Sequence, residues 1–486
     1  MTVEGGLGAG MRWSIISMFG REGSRLVFTV LLARLLGPHE YGIAAQATVL
    51  IAIVSILVDQ GFSAALIQRP SIRPEMPGAT MSINVAIGTV LTLVTAGISP
   101  LWAEFMNTPA LGPMLAVLSV DLVLRSATIT PRAMLIRSMQ FRTIAICDTL
   151  GVLSGGALGL VAALIWQSAW AVVIQLIATD IVSLLVMILL GVSYRPNLHL
   201  RHVLELFGFS WRASATGVLL NSVSTNIDNV LIGWRWGPVA LANYALAYRL
   251  LMLPVALATA SVGPVLLSAF SRMTDDIAAA AAQMTRTVRA LAILFIPAMA
   301  LVAVAAPQLI AVIFGPEWQS AVPIIQVMTL AGAVQTVYKC STASLLLGFG
   351  KAAFALRYAL LVTVVTTAGI LAGLPFGVFG VAVGLSIATG LLVPIEWIIR
   401  KRVLGIAIRT QIASLLPAVH GAAWASAVYV GVGWVVPGDG MARLIVGTAL
   451  GVAASVTILW LCHRRVHDEL REIGQHIGGR ATQVAP

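Results

Sequence analysis

Charged residues are scarce in this sequence. Asp, Glu, Lys and Arg make up 10% of its 486 residues, whereas 59% are hydrophobic and the mean hydropathy is +0.95. Soluble domains contain about 25% charged residues. This scarcity excludes a cytosolic enzyme, a secreted disulfide scaffold and a disordered chain, because each of these needs more polar surface. The apolar stretches are long and unbroken rather than alternating, which disfavours a β-barrel and points to a helical integral membrane protein.

Cysteine and catalytic motifs are nearly absent as well. The three cysteines, Cys147, Cys340 and Cys462, stand apart from one another, so neither a disulfide framework nor a metal cluster is predicted. The segment Gly348-Phe349-Gly350-Lys351 is followed by Ala and is not a phosphate-binding loop. The sequence contains no HExxH motif and no recognisable Ser/His/Asp set. We therefore expect no cofactor, no metal site and no catalytic residue.

Long apolar stretches follow one another along the whole chain. A bilayer core about 30 Å thick needs roughly 20 apolar residues per helix. Measured in this way, the sequence predicts an all-α polytopic protein with about 14 transmembrane spans joined by short connections. The predicted spans are 12–36, 42–66, 79–103, 112–131, 143–165, 168–192, 211–234, 239–270, 288–314, 320–346, 352–374, 376–399, 411–436 and 441–462.

Basic residues are distributed unevenly between the two sides of these spans. With the N-terminus in the cytoplasm, 22 of the 30 Lys and Arg lie in predicted cytoplasmic segments and three lie in the opposite loops. Cytoplasmic connections of membrane proteins carry such an excess. This predicts cytoplasmic N- and C-termini. It also attributes the net charge of +11 to topology and anionic lipid rather than to nucleic-acid binding.

A faint repeat relates the two parts of the chain. Gly37-Pro38 and Gly237-Pro238 end the first and seventh predicted spans, 200 residues apart, and a second echo joins 105–113 to 314–323. Six spans separate the copies, so the repeat would be parallel, with its axis along the membrane normal. Chance similarity between apolar segments is the alternative. The repeat predicts four parts, an N-lobe of six helices (1–195), a C-lobe of six helices (196–403), two further helices (404–463) and a basic amphipathic cytoplasmic tail (464–486).

Several basic residues fall inside predicted spans. A charge at the bilayer centre must face a cavity or a partner. Arg21 and Arg25 are four residues apart and share one helix face, and Glu22 cannot neutralise both. Guanidinium groups bind phosphate oxygens through paired hydrogen bonds, and tyrosines stack on sugar rings. The predicted substrate-binding residues are Arg21, Arg25, Tyr244, Tyr248, Arg249 and Lys339. The alternative is that carboxylates on other helices neutralise the bases.

Acidic residues inside the spans fall into two groups. Asp121 with Arg125 and Glu396 with Arg400 have the spacing of ion pairs on one helix and are predicted to be structural. Other carboxylates without such a pairing could carry a proton or ligate sodium. The predicted ion-coupling residues are Glu22, Asp59, Asp180 and Asp228. A salt bridge to Arg21, Arg25 or Arg249 is the alternative for Asp59 and Asp228.

Glycines recur at helical spacing in two spans. Gly151, Gly155 and Gly159 form one stripe, and Gly380 with Gly384 forms another. Small residues on one helix face allow two backbones to approach closely within a membrane. Both stripes are predicted to be helix-packing faces.

Three segments resemble a known family. The segments 32–42 (LARLLGPHEYG), 59–69 (DQGFSAALIQR) and 133–142 (AMLIRSMQFR) are similar to motifs of the polysaccharide transporter branch of the MOP exporter superfamily, the Wzx-type flippases. The resemblance implies two six-helix lobes around a cationic cavity, in a multi-pass protein of the bacterial inner membrane. It also implies movement of undecaprenyl-diphosphate-linked oligosaccharide from the inner to the outer leaflet for exopolysaccharide, capsule or O-antigen synthesis. A polysaccharide polymerase and a chain-length regulator would be its partners.

The sequence therefore predicts a lipid-linked oligosaccharide flippase that works by alternating access around a cationic cavity, with the prolines of span 239–270 allowing a pivot. Two alternatives stay open at this point. A multidrug/cation antiporter of the same superfamily would have an acidic or aromatic cavity. A membrane glycan polymerase or ligase would need larger outer loops than this sequence provides.

Overall fold

The computed structural model describes residues 3–58, 62–69, 71–192, 194–197, 201–436 and 440–463. For 3–19 and 201–225, and for three residues of 62–68, it gives the helical backbone alone. The described residues form helices and connections and contain no β-strand. The prediction of an all-α protein is confirmed.

The helices follow one another with short connections. They are α1 (Val3–Ser55), α2 (Phe62–Gln68), α3 (Met76–Phe105), α4 (Leu111–Leu118), α5 (Val120–Arg137), α6 (Phe141–Trp166), α7 (Trp170–Leu189), α8 (Arg201–Arg272), α9 (Ile277–Leu309), α10 (Val322–Gly348), α11 (Ala352–Gly373), α12 (Gly377–Leu404), α13 (Ile408–Val435) and α14 (Met441–Cys462). A π-helical turn (Ile310–Phe314) and a 3-10 turn (Pro316–Ala321) join α9 to α10, and a 3-10 turn (Leu374–Phe376) joins α11 to α12.

The two longest helices are each broken by a Gly-Pro step. Gly37 in α1 has φ 67° and ψ 175°, and Gly237 in α8 has φ 80° and ψ −171°. A positive φ suits glycine, and the proline that follows can begin a new helical segment because its missing N–H is not needed there. The repeated sequence motif thus corresponds to one repeated backbone conformation. In α8 the break in the helical dihedral angles lies at Gly237 rather than at Pro254 or Pro264, where the pivot was expected.

The number of spans differs from the prediction. Ten segments of the described chain are long and apolar enough to cross a membrane. Two of them, Asn226–Arg272 and Ala352–Leu404, each include parts of two predicted spans. The α1 segment is not among the ten, and side chains are described only for its later part. The structure confirms many apolar spans but does not confirm the count of 14.

The chain folds as two compact units, Met1–Ala245 and Leu246–Pro486. In the first unit, described apolar side chains of α1, α3, α4, α5 and α7 form a hydrophobic core cluster. In the second unit the core lies among α8, α9, α10, α12 and α13. The division lies within α8, whereas the sequence placed the first boundary at 195/196. The four-part division from the repeat stays a prediction.

All three segments of the family resemblance make structural contacts in the first unit. Arg137 donates through Nη1 to the carbonyl oxygens of Leu66 and Ile67, at 2.9 and 3.2 Å, where α2 ends. Glu40 accepts the backbone N–H of Ala169 at 2.8 Å, where α7 begins. A cation at a helix C-terminus and an anion at an N-terminus satisfy unpaired backbone groups and oppose the helix dipole. These motif residues hold helix ends in place.

Both glycine stripes pack against a neighbouring helix. A methyl group on Gly155 would lie 2.1 Å from Thr179 Oγ1 of α7, and one on Gly151 would lie 2.1 Å from Ser183 Oγ. In the second unit, a methyl group on Gly384 of α12 would lie 2.0 Å from the carbonyl oxygen of Gly369 in α11. The prediction that the stripes are packing faces is confirmed, since no larger residue fits without moving the helices apart.

We expect Gly384→Ala to lower the stability of the second unit. Its new methyl group would meet the Gly369 carbonyl oxygen, which is backbone and cannot rotate away. Overpacking of this kind costs about 1–3 kcal/mol. The measurement is the midpoint of thermal unfolding of the purified protein in detergent.

The matched control is Gly390→Ala in the same helix, because nothing lies within 4 Å of a methyl group there. The control should unfold at the wild-type temperature or slightly above it, since alanine favours a helix over glycine. Equal midpoints for the two variants would contradict the packing role of Gly384.

Candidate functional site

A cluster of charges joins α1, α5 and α6 in the first unit. Arg21 of α1 donates through Nε to Glu22 Oε1 at 3.0 Å and through Nη1 to Asp148 Oδ2 of α6 at 2.9 Å. Arg132 of α5 binds the same Asp148 oxygen through Nη2. Asp148 is 90% buried, so it lies inside the helix packing between two guanidinium groups. One carboxylate thus holds two bases from different helices.

Arg25 extends this cluster along α1. Its Nη1 lies 3.6 Å from Glu22 Oε1, and 48% of its side chain is exposed. Arg21 and Arg25 therefore share a carboxylate as well as the helix face that their four-residue spacing predicted. Arg21 differs from expectation in one respect. A second carboxylate, Asp148, pairs with it, although the sequence pointed to an unmatched base.

One nitrogen of the Arg21 guanidinium group nevertheless has no carboxylate partner. Nε and Nη1 are bonded to carboxylates, whereas Nη2 bonds to none of the described residues and is not buried. About a third of the side chain is exposed. The carboxylates fix the orientation of the group and leave Nη2 available to donate to an oxyanion.

Asp228 and Tyr244 meet across the break in α8. The Tyr244 hydroxyl donates to Asp228 Oδ2 at 2.7 Å, and the backbone N–H of Asn229 donates to Oδ1 at 2.8 Å. Both side chains are at most 1% exposed. Tyr244 was predicted to stack on a sugar, but in this conformation it is buried and its hydroxyl serves a carboxylate. The sequence named both residues without predicting that they bind each other.

The other predicted substrate-binding residues lie in the second unit. Arg249 and Lys339 are exposed, and Tyr248 is half-buried. Leu251 of α8 packs on Gly332 of α10, and further along Ser344 Oγ donates to the Gly263 carbonyl oxygen. The offset of 81 residues is the same at both contacts, so the two helices run parallel. Each residue of α8 lies at the same height as the α10 residue whose number is 81 higher. Lys339 lies about nine residues from the level of Arg249, which is roughly 13 Å along the axis.

Asp180 pairs with Arg125 of another helix. The sequence suggested that it is unpaired, because no basic residue lies one helical turn away from it. Arg125 Nε of α5 lies 3.0 Å from Asp180 Oδ2 of α7 and 2.6 Å from Asp121 Oδ2. The predicted Asp121–Arg125 pair is present, but it includes a second acid. The sequence missed this triad, because helical spacing shows which residues share a face and not which faces meet.

A further buried network lies in the second unit. Arg400 Nη2 lies 3.9 Å from Glu396 Oε2 and donates to Ser341 and Thr342 of α10 at 2.8 and 3.1 Å. Thr342 and Tyr358 of α11 donate to the two Glu396 oxygens. This network ties three helices together through one balanced ion pair, so its geometry agrees with the predicted structural role.

Two cavities lie away from the predicted site residues. One of about 710 Å³ is lined in the first unit by Glu104, Asn107 and Pro109 among others, and one of about 530 Å³ in the second unit by Arg286, Arg289 and Thr410 among others. Asp59, the remaining ion-coupling candidate, lies outside the described residues. No group of acidic, His or Cys side chains suited to a metal ion occurs among the residues that the structure describes.

The chain matches a family model and several known proteins. The model, described as polysaccharide biosynthesis protein, matches residues 31–323. The chain is 26% identical to the lipopolysaccharide biosynthesis protein WzxC of Escherichia coli K12, over 68% of this chain and 67% of that protein. It is 25% identical to the succinoglycan biosynthesis transport protein ExoT of Rhizobium meliloti, over 98% and 96%.

The fold matches a solved structure of a lipid II flippase. The chain superposes on MurJ in its inward closed conformation with a TM-score of 0.76 and 15% identity, over 93% of this chain and 99% of that one. At this identity the match concerns the fold alone. It agrees with the polytopic helical architecture described above.

We expect Tyr244→Phe and Asp228→Asn each to lower thermal stability, and the double variant to lower it by less than the sum of the two. Tyr244→Phe removes the donor of this hydrogen bond, and Asp228→Asn leaves a single accepting oxygen for the two donors, Tyr244 and Asn229, so each change leaves a buried polar group without its partner. Coupling between contacting residues is about 0.5–3 kcal/mol. The measurement is a double-mutant cycle on unfolding midpoints in detergent.

Tyr248→Phe is the matched control for the tyrosine change, since Tyr248 lies one helical turn further along α8 and is only half-buried. It should show no coupling to Asp228→Asn. Strict additivity of Tyr244→Phe and Asp228→Asn would mean that the hydrogen bond contributes nothing to stability.

Proposed function

Because this chain belongs to the family of polysaccharide biosynthesis proteins, we propose that it is a flippase that moves a polyprenyl-diphosphate-linked oligosaccharide from the inner to the outer leaflet of the bacterial inner membrane. The glycan would enter exopolysaccharide, capsule or O-antigen synthesis. Two relatives are named for the synthesis or transport of such polymers. A polysaccharide polymerase and a chain-length regulator would receive the product on the outer side.

The unused Nη2 of Arg21 carries the proposal. A diphosphate presents several oxygens with negative charge, and guanidinium groups bind such oxygens in pairs. Arg21 is held by Glu22 and Asp148 with Nη2 unused, and the half-exposed Arg25 lies on the same helix face. The diphosphate would bind at this face, while the polyprenyl chain stays in lipid.

Transport in this proposal proceeds by alternating access. Rigid lobes would rock about the substrate site, as is typical of transporters built from repeats. The non-helical dihedral angles at Gly37 and Gly237 make these two positions the proposed hinges, since few backbone angles need to change there. Arg249 and Lys339, which lie at different levels of α8 and α10, would also bind the substrate. N- and C-termini in the cytoplasm complete the proposed topology.

We expect the triple variant Arg21→Ala, Arg25→Ala, Arg249→Ala to abolish glycan export, because the diphosphate would lose its cationic partners. Loss of hydrogen bonds to charged groups costs about 1.5–3 kcal/mol each. Export is measured as surface glycan in cells that lack their own copy of the protein, with the amount of folded protein in the membrane quantified in parallel.

Arg402→Ala is the matched control, because Arg402 is an exposed base in the last turn of α12 and has no role in the proposal. It should leave export unchanged. Full export by the triple variant would refute the role of these arginines. Altered tolerance of cationic drugs with normal glycan export would instead favour the multidrug/cation antiporter.

A further inference from the structure

We propose that Asp121 and Asp180 hold one proton between them, and that release and uptake of this proton drive the transport cycle. The second half of this inference rests on the proposed flippase function. The first half concerns only the side chains of α5 and α7 and is tested without substrate.

The geometry is that of two acids around one base. Arg125 Nε lies 2.6 Å from Asp121 Oδ2 and 3.0 Å from Asp180 Oδ2, so both carboxyl groups are drawn to the same atom. Asp121 is completely buried, whereas 22% of the Asp180 side chain and 41% of the Arg125 side chain are exposed. The acids lie near the middle of the predicted spans 112–131 and 168–192.

The charges of this triad do not balance when both acids are ionised. One guanidinium group then faces two carboxylates, and the remaining negative charge lies inside an apolar protein in the bilayer, where such a charge is costly. Binding one proton makes the triad neutral. Two carboxyl groups that approach each other closely cannot both ionise easily, so they bind that proton as a pair.

The surroundings of Asp121 favour its protonated form. Neither carboxyl oxygen accepts a hydrogen bond with good geometry from any residue that the structure describes. By contrast, the buried Asp228 accepts hydrogen bonds from Tyr244 and Asn229. The orphaned oxygens distinguish Asp121 from the other buried acids.

No further charge compensates the triad among the described residues. The charged groups that act on Asp121 are Arg125 and Asp180. Of the helices that pack against α5, α2 and α4 carry no charged residue, α3 carries Glu104 near its C-terminal end, and α7 carries Asp180 alone. The charged and titratable residues described on α1 and α6 are Arg21, Glu22, Arg25, Arg34, His39, Glu40, Tyr41, Arg142, Cys147 and Asp148. Asp148 and Glu22 belong to the Arg21 cluster.

The ion is a proton rather than a metal cation. A hard cation needs several oxygen ligands in a cage, and here the guanidinium group of Arg125 already occupies the space between the two carboxyl groups. A second full positive charge at that point would be repelled. A proton needs only one oxygen and one neighbour that accepts its hydrogen bond.

Infrared spectroscopy of the purified protein in lipid vesicles tests the shared proton. The wild type should show the carbonyl band of a protonated carboxyl group at neutral pH. Asp121→Asn and Asp180→Asn should each lose this band, because Arg125 then balances the single acid that is left. If both variants keep the band of the wild type, the inference is overturned.

Asp148→Asn is the matched control, since Asp148 is a buried aspartate with the opposite surroundings, one acid between two bases. It should keep the band. Loss of the band in Asp148→Asn alone would also overturn the assignment. The midpoint of thermal unfolding of each variant shows whether it is folded. Because Asp121→Asn and Asp180→Asn are made separately, the test still stands if one of them does not fold.

Glycan export in cells tests the coupling. Wild-type export should slow as the external pH rises and the proton gradient falls, whereas Asp180→Asn should lose this response. Arg402→Ala should keep it. An unchanged pH response in Asp180→Asn would overturn the coupling. Absence of any glycan export by the wild type would refute the flippase function itself, while the infrared band would still decide whether the proton is shared.

Discussion

A charge inside a bilayer needs a partner or water, and this constraint explains the arrangement of the polar residues in this protein. Three clusters of charged residues provide such partners, each with a different ratio of acidic to basic side chains. Asp148 lies between two arginines, Arg125 lies between two aspartates, and Glu396 lies beside Arg400 alone. By its balance of charge, the first arrangement would favour an anion and the second a proton, whereas the third is neutral. Their different exposure agrees with this division, since Arg21, Arg125 and Asp180 are partly exposed, whereas Glu396 and Arg400 are buried.

Much of this arrangement can be predicted from the sequence, but only within one helix. The spacing of Arg21 and Arg25, of Asp121 and Arg125, and of the glycine stripes identifies residues on one face, because the helical period is fixed. The Gly-Pro steps at 37 and 237 predict two equivalent breaks, because glycine and proline restrict the backbone in known ways.

The pairings between helices could not be predicted. Asp148 binds Arg21, which is 127 residues away, and Asp180 binds Arg125 across 55 residues. These contacts depend on the rotation and depth of each helix, which a single sequence does not give. The same limit explains why Tyr244 was expected to contact a sugar. The sequence identifies the helix and the helical turn that carry Tyr244. Its contact with the buried Asp228 depends on how the segments of α8 before and after Gly237 pack together.

Closely packed helices connect the cluster of Arg21, Arg132 and Asp148 to the triad of Asp121, Arg125 and Asp180. Asp180 is next to Thr179, whose side chain lies against Gly155 of α6, and Ser183 donates to the carbonyl oxygen of Cys147, the neighbour of Asp148. Because the glycines leave no gap between α6 and α7, a shift of α7 cannot be absorbed at their interface. A change of charge at Asp180 that moves α7 must therefore also move α6, and with it the carboxylate that orients Arg21. Such a contiguous packed element would give the proposed proton binding a physical route to the proposed anion-binding face, whereas two clusters on separately packed helices would have none.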